Sequence, residues 1–268
     1  MLQVSTPSWP ASGSVLFPRQ NDGNTLGCIK DDDVMVSQHF FALKVNKEDL
    51  VALLRALANS SIATDVTKPS IVQNGGPADV QALVNSLGKE SRSTEVQTAV
   101  LSSGVTLISK PSLLRVPPWQ MVSAQLSGVN LRVASWWEKP AIYSTPAGQV
   151  PGCWSPELGK PGAVEIATSG LWQGVVIGLL GGAHAQCNHA KVGVSTDKTK
   201  PLSIFGDMNQ QGACNPDPKE GCNLSQNGRG GLFYVVNNAE LRDGIASLLT
   251  GSSAPLEPSE ATKGTSIK

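Results

Sequence analysis

Three short runs, AKVGVS (190–195), LSIFGD (202–207) and LFYVVNN (232–238), hold β-branched and aromatic residues between polar or glycine boundaries, the pattern of strands in a sheet. Upstream, VEIAT (164–168) reads as another strand. LRVASWW (131–137) sets Leu131, Val133, Ser135 and Trp137 against Arg132, Ala134 and Trp136, a period of two. The stretch 96–109 reads as two strands joined at Ser102, Ser103 and Gly104, while residues 25–30 and VMVSQHFFALKV (34–45) supply further extended segments. Helices alternate with these. Asn46 can cap the first, with Asp49 at the reciprocal position and Leu50, Leu53, Leu54 and Leu57 on one face. Gly75, Gly76 and Pro77 introduce a second, with Val80, Leu83 and Leu87, ending at Gly88; Pro117 and Pro118 lead into a third around 119–126. A fourth spans 239–249 with Leu241, Ile245 and Leu248 expected inward. The predicted class is α/β, a mixed sheet flanked by helices. The tail, 251–268, has too few apolar residues to repay ordering and is expected to be disordered.

Composition narrows the function. Gly 27 and Pro 18 in 268 residues argue against a helical bundle, and 21 basic against 21 acidic residues give no net charge to attract a polyanion. A nucleic-acid partner would need a local positive patch. The longest apolar run, LWQGVVIGLLGGA from Leu171, falls short of the roughly 20 residues that span a bilayer, so no membrane partner is expected. MLQVSTPSWP has neither the basic start nor the apolar core of an export signal. Among five cysteines no CxxC occurs, and no metal or other cofactor is expected. Cys214 and Cys222 flank the polar loop CNPDPKEGC, so a local disulfide between them is the most economical pairing, with two reduced surface cysteines as the alternative.

Only three histidines are available for chemistry. His39 lies among Phe40, Phe41 and Leu43 and reads as a partly buried structural imidazole; His184 reads as a loop residue or a partner for the next histidine. His189 stands two positions before Lys191, and in extended backbone residues i and i+2 share a face, so imidazole and ammonium would converge. An imidazole can attack phosphorus or shuttle a proton, and a lysine holds charge against the non-bridging oxygens. Asp207 and Asn209 share a parity at the end of the next strand, where a carboxylate could fix an imidazole tautomer and an amide could donate to phosphate. In NGRGG, glycines beside Arg229, Gly230 among them, let backbone approach a phosphate while the guanidinium offers a planar fork. Taken singly, these also read as a solvated turn and a surface loop. Together they turn toward phosphodiester chemistry.

CNHAKVGVS, SIFGDMNQQG and NGRGGLFYVVNNAEL, in that order, resemble the C-terminal signature of the deoxyribonuclease II family, where H-S-K is followed by G-D-x-N-R and R-G-G-G. NTLGCIK, the strands near 105–110 and LRVASWW are similar to successive upstream pieces, so the resemblance covers about 2–249 and is strongest over 188–237. It implies a phospholipase D-like fold of two related units, each giving an HxK pair to one central site. It also implies metal-independent endonucleolytic cleavage of DNA in mildly acidic solution, leaving 3′-phosphate and 5′-hydroxyl ends. One histidine would be the nucleophile and the other the acid. His189 and Lys191 match the second HxK, Gly206, Asp207 and Asn209 its companion strand, and Arg229 the arginine of the glycine stretch.

The chain departs from that pattern in places. Val4 stands where the family's H-S-x-P-x-[FW]-P segment has histidine, Gln210 where relatives can carry arginine, and Leu232 where a glycine would fall. HxK occurs once, so the first unit is expected to be an incomplete remainder (1–112) beside a fuller second unit (113–250). By the resemblance, Cys28 and Cys153 would be stranded, their partners lying near the termini of relatives. DNA is the expected substrate and little or no turnover is expected from one HxK. A symmetric dimer could supply a second pair, but the chain's own first unit would occupy that surface, which favours a monomer. Complete relatives would be secreted or lysosome-like. The competing readings are a non-catalytic homologue that binds nucleic acid or phosphate, and another phosphodiesterase of the same superfamily.

Overall fold

A computed structural model describes residues 2–4, 36–62, 76–89, 91–182, 184 and 186–257. The strand-like segment expected at 25–30 lies outside them. In chain order the elements are β1 (Leu2–Val4), β2 (Phe40–Ala42), α1 (Lys47–Asn59), α2 (Ala78–Ser86), β3 (Gln97–Val100) and β4 (Thr106–Lys110). There follow α3 (Pro118–Gln125), β5 (Leu131–Ala134), β6 (Val164–Ile166), β7 (Ser169–Trp172), β8 (Val175–Gly178), β9 (Val192–Ser195), β10 (Leu202–Gly206), β11 (Gly231–Asn237) and α4 (Ala239–Leu248). Seven strands form one mixed sheet in the order β3-β4-β11-β10-β9-β5-β6. Its β5–β6 pair is parallel and the others are antiparallel. The molecule is therefore α/β.

Alternation along the strands sorts side chains into two layers. Ile108, Val133, Ile204, Phe233 and Val235 face α3, where Trp119 is fully buried. Its ring meets Phe233 edge-on at 5.2 Å, its indole N–H donates to the Met208 carbonyl at 3.0 Å, and it fills the space over Gly193, where a Cβ would lie 2.8 Å from the ring. Burial of a ring that size contributes on the order of 4 kcal/mol. On the opposite face Leu107, Leu232 and Tyr234 pack against Leu53 and Ala56 of α1, and Val192, Val194 and Phe205 pack with Ile245 and Leu249 around α4.

The β3–β4 hairpin runs through the sheet rather than apart from it. β4 pairs with β11 along five positions, Gly231 to Val235 against Lys110 to Thr106. The division expected at residue 112 therefore falls between two pieces of one sheet. β4 pairs with β3 on one edge and β11 on the other.

The helix caps follow sequence logic, with one change. The Asn46 side chain accepts the Asp49 N–H at 2.8 Å, but Asp49 turns away from the cap and takes the Ser102 N–H (2.8 Å) and hydroxyl (2.5 Å), tying α1 to the β3–β4 turn. These hydrogen bonds hold the Asp49 carboxyl below its ordinary pKa. In α4, Leu241 is 38% exposed instead of inward. Arg242 takes the inner position and donates to the Ser195 and Thr196 carbonyls at 2.8 and 3.1 Å, satisfying the end of β9.

Residues 251–257, expected to be disordered, are ordered. Ser253 bridges to Ala167 and Leu256 to Ser144. The cause is Arg132, whose guanidinium donates to the carbonyls of Leu249 (2.7 Å) and Gly251 (3.0 Å) and to the Ser253 hydroxyl (2.7 Å). Residues 258–268 lie outside the described ones.

The disulfide also differs from expectation. Cys222 is bonded to Cys153, 69 residues away, and not to Cys214. The 214–222 loop closes without sulfur: Asp217 and Gly221 exchange backbone hydrogen bonds at 2.9 Å, and the Asp217 carboxylate takes the Lys219 and Glu220 N–H groups. The Cys214 carbonyl accepts the Cys153 N–H at 2.8 Å, which brings Cys153 against that loop, so Cys153 is not stranded. Cys28 lies outside the described residues.

Candidate active site

β9 and β10 run antiparallel with Phe205 opposite Val192, and the Gly206 N–H donates to the Lys191 carbonyl at 2.9 Å. That register puts Lys191 at the mouth of the sheet beside Asp207. Gly206 has no room for a side chain, since a Cβ would lie 2.6 Å from the Phe233 ring. Lys191 is buried, and its ammonium nitrogen sits 2.9 Å from His189 Nδ1 while also donating to the His189 carbonyl. The expected convergence of imidazole and ammonium is present. An ammonium donating to Nδ1 leaves the neutral imidazole with its proton on Nε2, the ring nitrogen turned away from Lys191. The edge of Trp136 fixes the ring plane, 5.0 Å between centroids.

A second imidazole, His39, lies beside them, partly buried as expected of a structural histidine. Residues 37–39 run alongside 188–191: Ser37 accepts the N–H groups of His189 (2.8 Å) and Ala190 (3.1 Å), and His39 Nδ1 accepts that of Lys191 at 3.2 Å. Burial first, then the positive charges of Lys191 and His189, pull the His39 pKa from 6.5 to about 4. His39 is thus neutral in mildly acidic solution, with its proton on Nε2. No spacing motif in the sequence marks it, because strand pairing brings it there. His184 is exposed, and its carbonyl accepts the Cys187 N–H.

Asp207 connects this cluster with a cavity of about 580 Å3. One carboxylate oxygen accepts the Leu232 N–H at 2.9 Å, extending the β10–β11 ladder. Solvent reaches the residue from the cavity, yet protein crowds it closely enough that desolvation pushes its pKa up to about 6, against the pull of its hydrogen bonds and of Lys191. The carboxylate in turn helps to hold the buried Tyr234 phenol protonated above its ordinary range. Arg229 is exposed on the rim of the same cavity, with Ser60, Ser61 and Ser112 across from it.

Asn209 donates to Gln211 Oε1 at 2.8 Å, within its own loop. Gly230 lines the cavity and packs closely on protein on its Cβ side, where a Cβ would fall 1.8 Å from the Ser60 carbonyl oxygen and 3.0 Å from that of Lys110. Gly231 is pressed likewise against Met208. The glycines serve the packing of α1 onto the loop. Gly230→Ala should therefore cost about 2–3 kcal/mol through backbone displacement, read as a lowered urea midpoint. Gln210, in the arginine position of the resembled motif, is fully buried in an uncharged network with Gln120 and Thr145 and adds no charge to the site.

A scan against protein-family models finds no match, and a search of curated proteins finds none either. Among the described residues no group of three or more His, Cys, Asp or Glu side chains could hold a metal ion.

Lys110 is the site-region residue that motif reading missed. It ends β4 fully buried, with its ammonium against the loop that carries Arg229. The signal for it was parity: Lys110 shares a strand face with the core residue Ile108.

Proposed function

We propose that this protein cleaves DNA phosphodiesters without a metal, as a deoxyribonuclease II-like enzyme with a phospholipase D-like site. The observation that carries the reading is the 2.9 Å contact between Lys191 Nζ and His189 Nδ1 beside Asp207. In this reading the phosphate lies between Lys191 and Arg229, whose charges offset that gathering on the non-bridging oxygens. A water attacks phosphorus in line as the bond to the 5′ oxygen breaks; His189, as imidazolium, gives its Nε2 proton to that oxygen and regains one from the attacking water, leaving a 3′-phosphate and a 5′-hydroxyl. With Nδ1 accepting from Lys191 the ring is neutral, so the acid role requires a proton on Nδ1 in place of that hydrogen bond, and attack on phosphorus by Nε2 requires its own proton to leave first.

A phosphate-binding protein without turnover is the second reading, and one observation favours it. Double displacement needs two imidazoles, and His39 Nε2 is buried. The test is supercoiled-plasmid nicking at pH 5 with EDTA, with end-group analysis, for the parent chain and His189→Ala. Slow nicking that leaves 3′-phosphates and disappears in His189→Ala is expected. Plasmid binding without nicking would establish the second reading, and the absence of both would sink the two together.

A further inference from the structure

Lys110 Nζ donates to the carbonyl oxygens of Asn227 at 2.8 Å and Arg229 at 2.7 Å, and no solvent reaches the residue. Both carbonyls belong to the 3-10 turn and loop (Ser225–Gly228, then Arg229) that lead into β11, and Gly231 pairs with Lys110 across the ladder. Gly228, Arg229, Gly230 and Gly231 form one wall of the Asp207 cavity. An amine in the core is costly, and an apolar residue of the same length would avoid that cost. What only the amine can do here is hold two carbonyls that otherwise face into protein.

We propose that Lys110 is a positioning residue for Arg229: its buried ammonium clamps the 227–229 backbone and fixes where the guanidinium stands over the cavity. The inference rests on the phosphodiester reading only for what Arg229 meets there; the clamp itself stands on the hydrogen bonds. Around Lys110 the neighbouring elements carry Glu95 ahead of β3, Arg115 after the turn at Ser112–Leu114, Asp207 at the end of β10 and Arg229 in the loop. Among the described residues none of them forms an ion pair with it. Burial alone lowers its pKa, from 10.5 to about 7. Charge-assisted donation is thus complete in acid and weakens as pH rises through about 7.

The sign for global stability is opposite. The folded chain releases this proton before the unfolded one does, so between about pH 7 and 10.5 the contribution of Lys110 to unfolding free energy rises with pH. Loop tightness and global stability therefore move in opposite directions, which a merely structural lysine would not produce.

The experiment is amide hydrogen exchange on the full chain and on Lys110→Met, at pH 5.5 and 8.5, expressed as protection factors. In the parent, protection over 227–231 should fall about tenfold more than in β9 between the two pH values. In Lys110→Met that loop should be loose at both, with β9 unchanged. Equal protection of the loop in parent and variant, or loss spread evenly into β9, would overturn the proposal. If Lys110→Met does not fold, the pH response of the parent decides alone: a flat loop profile overturns the clamp. Binding of thymidylyl-(3′→5′)-thymidine, whose phosphodiester does not titrate in this range, separates the two ideas. It should weaken about five- to tenfold from pH 5.5 to 8.5 in the parent. No binding at either pH, with the exchange pattern intact, would remove the phosphodiester reading and leave the clamp standing.

Discussion

Lys191→Met should lower EDTA-resistant plasmid nicking by two to three orders of magnitude while leaving the circular dichroism spectrum unchanged. Methionine fills most of the buried channel, so packing survives, but two things are lost. The ammonium no longer donates to His189 Nδ1 at 2.9 Å, which frees the imidazole to exchange tautomers, and the charge opposite the developing oxyanion disappears. Loss of one such preorganised charge or donor typically costs two to three powers of ten. A second signature follows from Asp207. Lys191 pulls its carboxyl down against the desolvation that raises it, so without the ammonium that group should titrate higher. Retained nicking in Lys191→Met would remove Lys191 from the chemistry.

Loss of the Cys153–Cys222 bond should be the largest single blow to stability. A cross-link closing 69 residues restricts the unfolded chain by about 4 kcal/mol in the loop-entropy account. For the double variant Cys153→Ser with Cys222→Ser, the urea midpoint should therefore fall by roughly 1.5 M. Dithiothreitol should reproduce the shift in the parent and add nothing to the variant. A Cys214–Cys222 bridge would have closed a much shorter loop with a smaller effect, so the size of the shift also reports the pairing. A midpoint within about 0.3 M of the parent would contradict the assignment.

The elements legible in the sequence were those set by local pattern. Asn46 before Leu53 and Leu54, and the β-rich runs ending in Ser195, Gly206 and Asn237, became helix and strands because cap and periodicity agree with the burial they receive. The His189–Lys191 contact was legible for the same reason, since two residues in extended backbone lie on one side. What the local pattern could not give required long-range knowledge. His39 is the partly buried imidazole expected, but it meets Lys191 through pairing of segments about 150 residues apart. The close approach behind Gly230 comes from the Ser60 carbonyl, at the C-terminal end of α1. Leu241 fitted the stripe of α4, yet Arg242 took the inner place because the end of β9 offered it two carbonyls. The cysteine pairing was misjudged by proximity in sequence, where Asp217 already closed the loop.

The passage of β4 into the sheet beside β11 ties the two halves of the chain together. Here the strand that leads out of the Arg229 loop is flanked on one side by β10 and on the other by a hairpin from the first half of the chain. Removing that hairpin would strip one whole side of β11 of its partners and uncover Leu232 and Tyr234. The two halves share one sheet, so a substitution in the hairpin at 97–110 bears on the wall of the Asp207 cavity through β11.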